Sequence, residues 1–265
     1  GMALMLAERA ERPLEWPGLG RRAPPPFTLV LADDSAALAR LTRGRAPGWG
    51  AGVAFPGART ILLRADLPRL EQTLRHELGH LVLRDSIRGR LPLWFEEGYA
   101  SLGSGEFDRS DALALNLAVA AGRVPTLREL DAMLRGSAVS ADLAYGLAAS
   151  AVDELARRPA PGGLAPLLRR LAEDEPFAAA LLASTGQNEE QFEAAWRGGL
   201  RRRYNLVTWL VTGGLWAIMA FSLGVLWWER RRRDRPRREA LNVGWELPPE
   251  EPPEPGEVDP QPPPQ

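Results

Sequence analysis

The chain contains two histidines, and they stand four residues apart in His76-Glu77-Leu78-Gly79-His80. This HExxH spacing constrains the fold more than any other feature, because it makes chemical sense only on a helix. Residues four apart lie on one helical face, so both imidazoles can reach a single Zn2+ at about 2.0–2.1 Å. Glu77 is turned about 100° from His76, beside the open coordination position, where its carboxylate can act as base toward water. The flanking sequence predicts the helix itself, with Pro68 in its first turn and its end near Leu83. Leu67, Leu70, Leu74, Leu78, Leu81 and Val82 project onto one apolar arc. His76 and His80 fall roughly opposite, toward a cleft or a second subdomain.

Composition narrows the chemistry. The 33 basic residues are all Arg and nearly balance 34 acidic ones, so no nucleic-acid partner is expected. Without Lys there is no Schiff base and no phosphate-binding lysine. Without Cys there is no disulfide, thiol nucleophile or thiolate-bound zinc. A hydrolytic zinc site needs a third protein ligand and an open position, and no third histidine exists, so that ligand is a carboxylate. Leu91-Pro92-Leu93-Trp94-Phe95-Glu96-Glu97-Gly98-Tyr99-Ala100 offers two adjacent glutamates at the start of a predicted helix over 93–102. Neighbours on a helix point about 100° apart, so one of Glu96 and Glu97 faces the metal and the other does not.

Short strands are predicted over Phe27–Leu31, Gly50–Phe55 and Thr60–Arg64, with Pro56-Gly57 as a turn and a helix over Ser35–Thr42 capped by Asp33-Asp34. Residues 13–26, with five prolines, read as an extended lead-in. Beyond Asp108 the Ala/Leu-rich sequence has helical spacing to about Arg203.

The HExxH motif followed by Leu-Pro-x-Trp-Phe-x-Glu-Gly-x-Ala resembles the gluzincin metallopeptidases, in particular the peptidase MA-like family. In that family the Glu before Gly is the third zinc ligand, which corresponds to Glu97. The stretch Ala144–Ser150 and the helices after it resemble the family's C-terminal half, so the likeness covers about residues 27–200. Thermolysin-like members carry an Asp four residues after the ligand Glu to orient a zinc histidine; Ser101 stands here. A second electrophile usually assists the metal in oxyanion stabilisation, and with both histidines committed the candidate is Tyr145. Tyr99 is turned away on the Glu97 helix, and Tyr204 lies at a membrane edge. Arg75 and Arg84 flank the motif as candidates for holding a substrate carboxylate or for surface ion pairs. Trp94 is expected to anchor the Glu97 helix in the core.

Leu206–Trp228 is a run of 23 residues without charge, about 34 Å as a helix, bordered by Tyr204, Trp209, Trp227 and Trp228. It is expected to cross a bilayer. Four arginines precede it and seven follow, which favours a cytoplasmic C-terminus and an outward catalytic domain in a bacterial inner membrane. That topology requires an export signal, and only Ala3–Leu6 are continuously apolar before Glu8. The small-residue spacings Gly213/Ala217 and Ala220/Gly224 suit weak self-association of the membrane helix. The Pro/Glu-rich tail from Pro248 is expected to be disordered.

The expected fold class is thus α+β. Residues 1–26 are a lead-in; 27–203 form a small N-terminal β-sheet subdomain plus a helical zincin-like body. A single transmembrane helix over 205–228 and a tail over 229–265 follow. The expected function is a membrane-anchored zinc metallopeptidase acting on a peptide or protein substrate. Zn2+ would be held by His76, His80 and Glu97, with Glu77 and Tyr145 catalytic. The alternative is a catalytically silent zinc-binding scaffold tethered to the membrane.

Overall fold

In the computed structural model, the described residues are 2–45, 50–105, 115–116, 118–119, 121–136, 138–159, 162–204 and 214–237. They divide into two units, 1–209 and 210–265, each considered by itself.

The larger unit is built on a three-stranded sheet of order β3-β5-β4, where β3 is Thr28–Ala32, β4 is Gly52–Phe55 and β5 is Thr60–Arg64. Parallel β3 and antiparallel β4 flank β5, with Ala54 opposite Ile61. Alternation along β5 explains the layering. Ile61 and Leu63 are buried on one face, against helix α3 (Leu70–Ser86). Leu62 points to the other face and packs with Ala32 and Leu38 of helix α2 (Ser35–Thr42). Asp34 caps α2 by accepting the Ala37 N–H at 2.7 Å.

The remainder is helical: α4 (Leu93–Ser104), α5 (Leu127–Leu134), α6 (Ala138–Ala156), α7 (Leu164–Ala172), α8 (Phe177–Thr185) and α9 (Glu189–Arg203). The α+β class therefore holds. Alanine-rich α6 is the central helix; Ala144, Leu147, Ala148, Ala151, Val152 and Leu155 are all buried. Trp94 anchors α4 as expected, stacked on Phe192 and edge-on to Phe177.

The expectation of an extended lead-in is corrected. Met2–Ala10 form helix α1, and Leu14–Trp16 and Gly20–Arg22 form a β-hairpin of strands β1 and β2. Leu6 and Ala10, one turn apart, and Trp16 are buried in the main core. The Trp16 ring lies over Gly103, where a Cβ would come within 3.0 Å of it. Proline density marked the turns of this segment and hid the apolar contacts that fold it back.

Two glycines set how closely the site-bearing helices approach. A Cβ on Gly79 would lie 2.9 Å from Ala100 Cα, and one on Gly98 would collide with the carbonyl of Ala148. Helix α4 is thereby wedged, backbone on backbone, between α3 and α6. The same chemical change should therefore have opposite signs at two helical glycines. Gly98→Ala is expected to destabilise the chain by about 1–3 kcal/mol through overpacking against a carbonyl that cannot turn aside. Gly198→Ala in α9, where a Cβ meets nothing within 4 Å, should stabilise it by up to about 1 kcal/mol. Urea unfolding of the two metal-free variants measures both; a neutral Gly98→Ala would contradict the packing described.

In the second unit, α10 (Leu215–Arg233) is apolar to Trp228 and then enters Glu229 and Arg230–Arg233. Trp216, Phe221, Leu223, Leu226, Trp227 and Trp228 are exposed. Arg231 and Arg232 lie over the Trp227 and Trp228 rings, at 5.0 and 5.5 Å from their centroids. No helix among the described residues is long and apolar enough to cross a membrane. The expected span over 205–228 is not met, because this helix runs into its arginine cluster and residues 205–213 lie outside the described residues. Ala220 and Gly224 are exposed on α10, whereas Gly213 and the tail from Pro248 lie outside the described residues.

Candidate metal centre

The two histidines lie on successive turns of α3, and helix geometry brings their Nε2 atoms to 3.2 Å. Glu97, in the second turn of α4, brings Oε2 to 3.4 Å from each. The close α3–α4 crossing at Gly79 makes this possible, as does the α4–α6 crossing at Gly98. Each glycine adjoins a donor residue, His80 and Glu97 respectively. Among the described residues, His76, His80 and Glu97 form a group able to hold a metal ion. The triangle passes a fit test. Donors at about 2.0–2.1 Å around a tetrahedral ion stand about 3.3–3.4 Å apart, and the three edges here are 3.2, 3.4 and 3.4 Å.

The histidine face is not an open one. Helix α4 covers it, and the Tyr145 ring of α6 meets His76 edge-on at 5.8 Å between centroids. His76 retains 9% exposure and Glu77 7%. Ser101 Oγ, at 3.5 Å from His76 Nδ1, occupies the place where thermolysin-like members carry Asp. It is within reach to fix the far side of that imidazole and so aim Nε2 at the triangle.

The electrostatics follow from burial and charge. Burial opposes ionisation of Glu97, but His80 and then His76 outweigh it and hold the carboxyl well below the ordinary carboxylate range. Burial likewise opposes the His80 imidazolium, yet Glu97 raises its pKa on balance. A metal bound by this triad would therefore compete with the proton that Glu97 favours on His80. Glu77 differs. Burial pushes its carboxyl up against the pull of both histidines, while the Ala54 N–H donates to it. Ala54 lies on β4, the edge of the sheet, so this N–H points away from β5 and toward Glu77. Gly52 lies beside the same carboxylate, where a Cβ would be 3.1 Å from Glu77 Oε1.

The neighbouring candidates separate cleanly. Glu96 is paired with Arg84 through both guanidinium Nη2 and Nε, the latter at 3.1 Å, and Arg84 also donates to the Gly89 carbonyl at 2.7 Å. Arg84 therefore ties α3 to α4, and Glu96 is turned from the triad. Arg75 donates to the Gly103 carbonyl at 3.4 Å. Tyr99 is buried, with its hydroxyl raised well above the usual range by burial. Sequence reasoning noted Ser101 only as a departure from the histidine-orienting Asp, and did not single out the glycines at the crossings, or Gly52 and Ala54 over Glu77. A glycine in a helix interior beside a ligand was the one available signal for the crossings.

Sheet, helix pair and donor triangle together place a group able to hold a metal ion between α3 and α4. The sequence model of the peptidase MA superfamily matches residues 20–202, more than half of the chain, and the protein belongs to that superfamily. No curated protein matches the chain.

Proposed function

We propose that this protein is a zinc metallopeptidase attached to a membrane. The observation that supports the reading best is the donor triangle, with one carboxylate, Glu77, buried beside it and outside it. His76, His80 and Glu97 would hold the ion. A zinc ion there supplies a Lewis acid that lowers the pKa of water toward 7 and polarises the scissile carbonyl. Glu77, steered by the Ala54 N–H, takes a proton from the attacking water and returns it to the leaving amine. The free edge of β4 offers backbone groups beside Glu77, so an extended peptide can align there as an added strand.

Tyr145, at the rim of His76, offers a hydroxyl for the negative charge growing on the carbonyl oxygen. Tyr145→Phe is expected to lower kcat about 10²- to 10³-fold with zinc content unchanged. Turnover equal to wild type would remove Tyr145 from the mechanism.

Membrane attachment is supported by the exposed apolar length of α10 and its Trp–Arg boundary, continued upstream by the uncharged residues from Leu206. The arginine asymmetry favours a cytoplasmic tail and an outward peptidase domain. Protease accessibility in intact cells tests that topology.

The decisive assay incubates the purified chain with a peptide library, then adds a chelator, then restores zinc. Cleavage lost and regained supports the peptidase. Stoichiometric zinc without chelator-sensitive cleavage would favour the tethered zinc-binding scaffold.

A further inference from the structure

We infer that Asp131 is a positioning residue for the metal centre, acting through the start of α4; this rests on the reading of His76, His80 and Glu97 as the ligand set. Helix α4 begins after Pro92, whose side chain cannot accept a hydrogen bond, so its first N–H groups need a partner from elsewhere. Asp131 of α5, 37 residues along the chain, supplies it: Oδ1 accepts the Trp94 N–H at 2.7 Å. A carboxylate at a helix N-terminus also meets the positive end of the helix dipole.

The accepting residue of that cap is itself held. Helix α5 carries a capping box, with Thr126 N–H donating to Glu129 Oε2 at 2.8 Å and Glu129 N–H donating to Thr126 Oγ1 at 3.2 Å. The Leu127 N–H donates to Glu193 Oε2 of α9 at 2.9 Å. Arg197, paired with Glu193 at 3.4 Å, donates to the Val124 carbonyl at 3.0 Å. A carboxylate of α9 therefore fixes the start of α5, a carboxylate of α5 fixes the start of α4, and α4 carries Glu97.

The Trp94 ring is packed against Phe177 and Phe192. Without its cap, the turn must fray around a pinned ring, and that turn leads directly into Glu97. Arg84 grips Glu96 from the other side. Glu97 is thus aimed by two grips on residues 94 and 96, neither of which touches the ion.

The test measures zinc affinity and the visible absorption spectrum of the cobalt(II)-substituted protein. Asp131→Ala is expected to weaken zinc binding about ten- to a hundredfold, the scale of other outer contacts at metal sites, and to alter the cobalt spectrum. Asp131→Asn keeps an acceptor and should restore both to near wild type. A lower melting temperature with unchanged zinc affinity and cobalt spectrum would reduce Asp131 to a structural cap and overturn the inference. Should Asp131→Ala fail to fold, hydrogen exchange on the wild type decides. Coupling is reciprocal, so zinc must slow exchange of the Trp94 amide; equal exchange with and without zinc overturns the inference. If the wild type binds no zinc, the metal-centre reading fails; if it does and Asp131→Ala binds equally well, only this inference fails.

Discussion

Glu77→Gln is expected to reduce peptide cleavage by about 10²- to 10⁴-fold while zinc content stays as in the wild type. The amide keeps the size of the carboxylate and still accepts from the Ala54 N–H, so what disappears is the capacity to take up a proton. The same substitution has a second consequence. Glu77 has a folded-state pKa raised by burial, so its ionised form weakens the native state once the pH exceeds the unfolded carboxyl value. The metal-free variant should therefore melt above the metal-free wild type at neutral pH, and the difference should shrink in acid. Thermal melts at two pH values and a single-turnover assay test both. Wild-type turnover in Glu77→Gln would remove the proposed base.

The second large effect separates adjacent glutamates. Glu97→Gln is expected to lose stoichiometric zinc on dialysis, because one edge-forming donor of a three-residue set is gone. Glu96→Gln should keep stoichiometric zinc, with affinity weakened by less than in Glu97→Gln, and lose about 1–3 kcal/mol of stability, since Arg84 then has no carboxylate partner in a half-buried site. Metal analysis and urea unfolding of both variants are sufficient. Zinc lost from Glu96→Gln and kept by Glu97→Gln would reverse the ligand assignment.

The contrast also marks what could be read from the sequence. The histidine spacing demanded a helix, and α3 runs over Leu70–Ser86 where 68–83 was expected; β5 and α2 begin and end where local pattern placed them. These are short-range properties, set by residues a turn or a pleat apart. The choice between Glu96 and Glu97 is long-range. It depends on Arg84, which lies on another helix and captures one carboxylate, so adjacency alone left both open. The helical projection left the histidine face toward a cleft or a second subdomain, and which of the two is likewise long-range. An apolar arc assigns one side of α3 to the core, whereas Gly79 and Gly98 let two further helices close over the other side. The N-terminal segment failed differently. Its prolines were read as extension, while Leu6, Ala10 and Trp16 had partners only a folded chain could supply. Asp131 carries no motif at all, since a cap donated from another helix leaves no mark on the sequence it caps.

The backbone-to-backbone wedge at Gly79 and Gly98 bears on which ion the protein can accept. A donor set of two imidazoles and one carboxylate, locked at 3.2–3.4 Å separations, is too tight and too poor in oxygen for calcium, which takes six to eight oxygens at about 2.3–2.6 Å. Among first-row transition ions the discrimination is weaker, and copper outcompetes zinc at most such donors. Spacing and donor type therefore disfavour calcium but not copper. The identity of an ion held there would then be decided by what is available to the chain in the compartment where it is loaded.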